Sequence, residues 1–259
     1  MGQNMIFDTH AHYDDEAFDE DREELLWKMK GQGVEFIVNV GASIASTKKT
    51  IELVQRYPFL YGAVGIHPSE TEELKEEDML WLKKASVQKD IVAIGEIGLD
   101  YYWPEPDREI QKKWFIRQLA LASEVKLPVI IHSRDAAEDT LEILKEWDKD
   151  KTGGVIHCFS YSKEIAREYL SMGYYFGIGG VLTFKNARKL VEAVEIIPME
   201  KILLETDCPY LAPEPYRGKR NQSGYIDFVA EKLAKLKGIT KEEVLRITSD
   251  NAKNFYHLK

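Results

Sequence analysis

Six short apolar runs in this chain give out onto a histidine or a carboxylate. His10 and His12 end the run that begins at Met5, and His67 ends Tyr61 to Ile66. Glu96 follows Ile91 to Gly95, and His132 ends Pro128 to Ile131. His157 closes Gly154 to Ile156, and Asp207 follows Ile202 to Thr206. Ionisable groups beside buried strands are costly unless they are paired or bind metal. A parallel barrel gathers its strand ends on one rim, where such side chains can converge on a metal.

Helical patterns separate the runs. The spacing predicts helices over Asp19 to Lys30, Ser43 to Tyr57, Asp107 to Val125, Asp135 to Trp147, Lys163 to Met172 and Ala187 to Val194. Another, opened by Ser69 with Glu72 at capping-box spacing, runs through Leu74, Leu80 and Trp81. Two more close the chain, over Tyr225 to Lys235 and from Thr240. Val34 to Val40 and Tyr174 to Val181 bring the strands to eight. Strands joined by helices require right-handed crossovers and a parallel sheet. We therefore expect an α/β fold, a closed TIM-type (β/α) barrel, as a single domain over residues 1–259. An open doubly wound sheet is the competing topology. It usually shows a glycine-rich first turn, whereas the first strand here ends in Thr9-His10-Ala11-His12.

The 259 residues suit a barrel of about 250 residues. The net charge of -9 argues against a protein that coats nucleic acid electrostatically, though not against an enzyme that cleaves it. Cys158 and Cys208 make no disulfide framework, which fits a reducing compartment. A basic stretch followed by an apolar run is absent from the N-terminus, and no apolar stretch reaches the ~20 residues of a membrane span. The expectation is a cytoplasmic chain without membrane association or an evident obligate protein partner.

His10 and His12, two apart on a strand, point to one face and can share an ion. His132 and His157 add imidazoles, and Asp207 a carboxylate. Glu96 has a second oxygen to share, as a carboxylate bridging two ions about 3.5–4 Å apart would. Such a nitrogen and oxygen set admits magnesium, manganese, iron or zinc, and two divalent ions per subunit are expected. A bound divalent ion acidifies its water, which gives Asp207 the part of proton acceptor and Glu96 that of bridging catalytic group. Taken singly, Glu96 and Asp207 could instead be capping or salt-bridging acids.

The chain resembles a TatD-type metal-dependent deoxyribonuclease of the amidohydrolase-like superfamily. The motifs are Asp8-Thr9-His10-Ala11-His12, Gly65-Ile66-His67-Pro68 and Gly95-Glu96-Ile97-Gly98-Leu99-Asp100-Tyr101. They continue with Ile131-His132-Ser133-Arg134, His157-Cys158-Phe159-Ser160 and Glu205-Thr206-Asp207-Cys208-Pro209-Tyr210-Leu211. The resemblance spans essentially the whole chain. It implies one metal on His10, His12, Glu96 and Asp207, and another on Glu96, His132 and His157. It also implies hydrolysis of phosphodiester bonds, usually magnesium-dependent, by a 3'-5' exonuclease on single-stranded DNA or RNA. Two alternatives stay open: an ester or amide hydrolase for a small molecule or an aminoacyl-tRNA, and a barrel that retains metal without catalysis.

A phosphodiester also needs donors beside the metals. Arg134, two residues after His132, can grip a phosphate or form a loop salt bridge. The loop from Pro213 to Asn221 carries Arg217, Lys219 and Arg220 beside Tyr216, residues able to track a strand and stack a base. Tyr101, Tyr102 and Trp103 can stack bases or pack their own loop. His67 reads as an outer donor to the site or a substrate phosphate contact.

Overall fold

The computed structural model describes residues 6–147 and 153–258. Strands β1 (Ile6–Ala11), β2 (Val34–Val40), β3 (Leu60–Val64) and β4 (Ile91–Asp100) form the first half of a sheet. β5 (Val129–Arg134), β6 (Gly154–Ile156), β7 (Tyr175–Ile178) and β8 (Ile202–Leu204) form the second. The spatial order is the chain order, and every pairing is parallel. The ends of the sheet then meet. Ala11 pairs with Cys208 in a parallel bridge, Thr9 Oγ1 donates to the Leu204 carbonyl, and Asp207 N–H donates to the His10 carbonyl. The sheet is thus a nearly closed barrel, and the open alternative is excluded.

Helices α1 (Arg22–Gly31), α2 (Ile44–Arg56), α3 (Glu76–Ser86) and α4 (Arg108–Val125) follow the first four strands. α5 (Ala137–Trp147), α6 (Lys163–Ser171), α7 (Arg188–Ile196), α8 (Ile226–Lys237) and α9 (Lys241–Phe255) follow the rest. Their boundaries have local causes. Ser43 caps α2 by accepting the Ser46 N–H, and Asp107 caps α4 through the Glu109 N–H. Thr240 and Glu243 close a reciprocal capping box on α9.

The third helix departs from the sequence expectation. Ser69 sits in a short 3-10 turn, Pro68–Glu70, whose N-cap is the His67 ring accepting the Ser69 N–H. α3 starts later, where Asp78 accepts the Lys75 N–H, and it buries Met79 and Leu82 while Leu80 faces solvent. Tyr174 to Val181 is also shorter than a full strand, because Gly180–Thr183 turns into a 3-10 helix.

Apolar packing falls into two layers. An inner cluster fills the barrel with Phe7, Val38, Ala63, Ile130, Val155 and Leu203, and Phe255, the last residue of α9, and Tyr256 just after it pack there too. Tyr256 also donates its hydroxyl to the Thr9 carbonyl, pinning the chain end beneath β1. A larger outer cluster lies between strands and helices, where Leu26, Phe115, Leu144 and Leu233 are fully buried. The inner plug packs the base, and the C-terminal ends of the strands open into a cleft.

Candidate metal centre

The predicted strand ends do converge. His10 Nε2 lies 3.1 Å from His12 Nε2 and 3.3 Å from Glu96 Oε2. Asp207 Oδ1 stands 3.3 Å from His12 Nε2 and 3.8 Å from His10 Nε2. Donor atoms separated by 3.1–3.8 Å are spaced as ligands about 2 Å from a common centre would be. The other oxygen of Glu96 faces a second group. Glu96 Oε1 lies 2.7 Å from His132 Nδ1 and 3.7 Å from His157 Nε2. One buried carboxylate therefore divides its two oxygens between two sets of imidazoles. These sets match two of the clusters able to hold an ion, His10–His12–Glu96 and Glu96–His132–His157.

Whether the residues fit a metal depends on which ring nitrogens are free of protons. His12 Nδ1 lies 2.8 Å from the Val40 carbonyl, which only accepts, so that nitrogen carries the proton and Nε2 presents a lone pair. His132 places Nε2 3.0 Å from Asp100 Oδ2, and this leaves Nδ1 for the centre. Asp100 is in turn fixed by the Tyr102 N–H. His157 Nδ1 lies 3.0 Å from Glu205 Oε1, off the line of a strong hydrogen bond, so the attraction is chiefly one of charge. Glu205 also accepts the Cys158 N–H at 2.6 Å. His10 stacks on His157 with ring centroids 3.5 Å apart, its Nδ1 buried without a hydrogen-bond partner among the described residues. An outer acceptor at the far nitrogen is the usual device for aiming imidazole at a divalent ion, and the donor set fits such an ion.

Charge tells the same story. Burial alone would push His12 and His157 down, but carboxylates outweigh it. Asp207 and Glu96 hold His12 up to about 9. Glu205, Glu96 and Asp207 hold His157 up to about 10. Burial would raise Glu96, yet His157 and His10 keep its carboxyl well below the usual range. Asp207 is likewise lowered against its burial, by His12 first and then His157 and His10. The cluster stabilises positive charge at its centre, whether protons or a cation carry it.

Beneath the ligands, Asp8 ties the two ends of the barrel together. It accepts from the Thr206 and Ser223 hydroxyls and the Thr206 N–H. Burial is its main perturbation and raises the carboxyl to about 7. Asn221 braces the loop after Asp207, donating to the carbonyls of Thr206 and Tyr210.

His12, Glu96, His132, His157 and Asp207 line a cleft of about 790 Å³, with His10 fully buried behind them. His67 and Arg134 reach it, as predicted, along with Trp103, Tyr210 and Leu211 at the rim. His67 Nδ1 accepts the Ser69 N–H, so its proton sits on Nε2, 3.9 Å from Glu96 Oε1. Burial, aided by His132, pushes its imidazole down to about 3. Arg134 lays its guanidinium on the Tyr102 ring, 3.8 Å from the centroid.

The basic loop behaves differently from the sequence expectation. Among the described residues, Arg217, Lys219 and Arg220 do not line this cleft. Arg220 pairs bidentately with Asp21 and donates to the Ala17 carbonyl, while Arg217 covers Phe184. Lys219 sits over Tyr216, which stacks on Tyr225 at 4.3 Å. Short-range partners in the loop's own surroundings have taken these groups. Conversely, Asp100, Glu205 and Asp8 were not singled out from the sequence as functional. Glu205 precedes Asp207 by two residues and Asp100 follows Glu96 by four, so the even spacing of a strand was the available signal.

Comparison with known proteins extends over the same span. A family model described as TatD related DNase matches residues 7–257. A relative from Bacillus subtilis (strain 168), named uncharacterized metal-dependent hydrolase YabD, is 47% identical over 254 residues, covering 98% of this chain and 100% of its own. The 3'-5' ssDNA/RNA exonuclease TatD of Rahnella sp. (strain Y9602) is 30% identical over 259 residues, with 98% of each chain covered. Among solved structures, the TatD homolog YJJV from Escherichia coli K12 superimposes with a TM-score of 0.93 at 30% identity, covering 100% of both chains.

Proposed function

Since the chain belongs to the TatD related DNase family of metal-dependent hydrolases, we propose that it cleaves phosphodiester bonds at an end of single-stranded nucleic acid. His10, His12, Glu96 and Asp207 would hold one divalent ion, and Glu96, His132 and His157 the other. Bound there, such ions acidify water and neutralise charge growing on a phosphoryl oxygen. The observation that carries the reading is the division of Glu96, one oxygen toward His10 and the other toward His132.

The chain's own groups supply the remainder. Asp207 stands between His12 and His157 at the open side of the cluster, where its carboxylate accepts the proton of an attacking water. His67, neutral and with its proton on Nε2, donates to a phosphate oxygen. Among the described residues no carboxylate pairs with the Arg134 guanidinium, which suits it to a phosphate. Trp103 and Tyr210 give exposed aromatic faces at the rim for bases. The relative named as a 3'-5' ssDNA/RNA exonuclease supports both the substrate and the polarity.

The test is digestion of end-labelled single-stranded DNA by metal-stripped protein resupplied with magnesium or manganese, with product lengths resolved over time. The reading predicts a ladder shortening from the 3' end. Asp207→Asn should lose at least about a hundredfold in rate with an unchanged circular dichroism spectrum. Intact DNA and RNA with every divalent ion tried would overturn it. Acyl-ester turnover far above DNA turnover would favour the ester or amide alternative.

A further inference from the structure

A second cleft of about 570 Å³ adjoins the metal cleft, and Arg134 lines both. Its wall holds Lys189, on the first turn of α7, and Ser162, the N-cap residue of α6. The Ser162 hydroxyl makes no capping bond to the backbone of its helix; it donates instead to the Glu164 carboxylate on the first turn of α6. Ser160 lines it too, the Ser133 and Tyr161 hydroxyls are bonded to each other at 3.0 Å, and Asp135 is the one carboxylate among the described lining residues. Neither Arg134 nor Lys189 forms an ion pair among the described residues. Two exposed cations, Arg134 shared with the metal cleft and Lys189 across from it, outweigh Asp135 there and make a setting for an anion.

The opposite wall of the metal cleft has the reverse character. Asp14, Asp15 and Glu70 lie there beside Ser43, Ser46 and Ser69. Asp15 accepts the Tyr210 hydroxyl, and Asp14 accepts from Asn39 and Ser46, so both carboxylates are held in place. A phosphate continuing in that direction meets fixed negative charge. One continuing past Arg134 meets cations.

We propose that the second cleft is the subsite for the phosphate next to the scissile one, so that a strand leaves the metal centre past Arg134 toward Lys189. The acid-walled side then receives the terminal nucleoside, whose hydroxyls suit carboxylate and serine partners and whose end carries no phosphate. This rests on the phosphodiesterase reading and adds to it a direction and a minimum substrate length.

Lys189 is exposed and lies away from the metal donors, so Lys189→Ala tests the subsite without disturbing the centre. Three measurements on manganese-loaded protein decide it. Kinetics on a single-stranded hexanucleotide should show KM raised about tenfold with kcat unchanged, while bis(4-nitrophenyl) phosphate, which has no neighbouring phosphate, turns over as in wild type. Anisotropy with a labelled phosphorothioate hexanucleotide should show Kd raised to match and a salt slope lower by about 1, with Lys189→Arg restoring both. A phosphate added to the digested end should slow wild-type cleavage at least about tenfold.

Unchanged hexanucleotide binding in Lys189→Ala, or equal losses on both substrates, would overturn the subsite. Equal rates with and without the terminal phosphate would overturn the direction. If wild type cleaves neither substrate, the phosphodiesterase reading itself fails, and anisotropy still decides the subsite by whether Lys189→Ala weakens binding.

Discussion

At the scale of single residues, a lone histidine beside an apolar run reads as an ordinary core residue, and the ones here were legible because several of them, with two acids, end such runs together. Glu205 and Asp100 were harder to find, since acids next to a ligand motif read equally well as caps or surface charge. Their roles emerge only when strands pair and bring Glu205 to His157 and Asp100 to His132. Arg220 shows the opposite failure: a cation near a ligand in sequence is claimed by Asp21, nearly two hundred positions away in the chain. Removing the charge of an outer acceptor should loosen the ion without removing a ligand. Glu205→Gln is expected to weaken metal affinity by about 10–100-fold, measured by competition with a chelating dye. Unchanged affinity would show that Glu205 does not support His157.

The strand and helix pattern was readable at the level of elements because period two and period 3.6 leave different traces. β2 falls where the sequence placed it, at Val34–Val40. The third helix was misplaced because Ser69, a good cap by type, was already engaged by the His67 ring. Close approaches between neighbouring strands left no trace that spacing could reveal. On β7, a Cβ at Gly177 would stand 2.1 Å from Glu205 Oε2, so the carboxylate just past β8 packs there against a bare backbone. Gly177→Ala should therefore displace Glu205, lower Tm and reduce retained metal together. Loss of Tm with metal retention intact would separate the two. At the other end of the chain, Thr240→Ala removes the cap of α9, the helix that leads into the inner plug. It should cost about 1 kcal/mol, seen as a lower urea midpoint, while metal content stays unchanged.

For the molecule as a whole, the closed barrel sets six distant parts of the chain around one cleft. Among the described residues, no helix is long and apolar enough to cross a membrane. A buried cluster of like-signed carboxylates is a liability to the fold unless something positive sits among them. A divalent ion that binds only the folded chain should raise its stability by about 2.7 kcal/mol at a hundredfold excess over Kd. Chelator-stripped protein should accordingly melt lower than protein with manganese restored, and the gap should vanish in Glu96→Ala.

The central claim is that these six side chains hold divalent ions, and anomalous diffraction from manganese-soaked crystals tests it most directly. Peaks are predicted among His10, His12, Glu96 and Asp207 and among Glu96, His132 and His157, both lost in Glu96→Ala. Crystals with ordered manganese elsewhere and none between these donors would contradict the account.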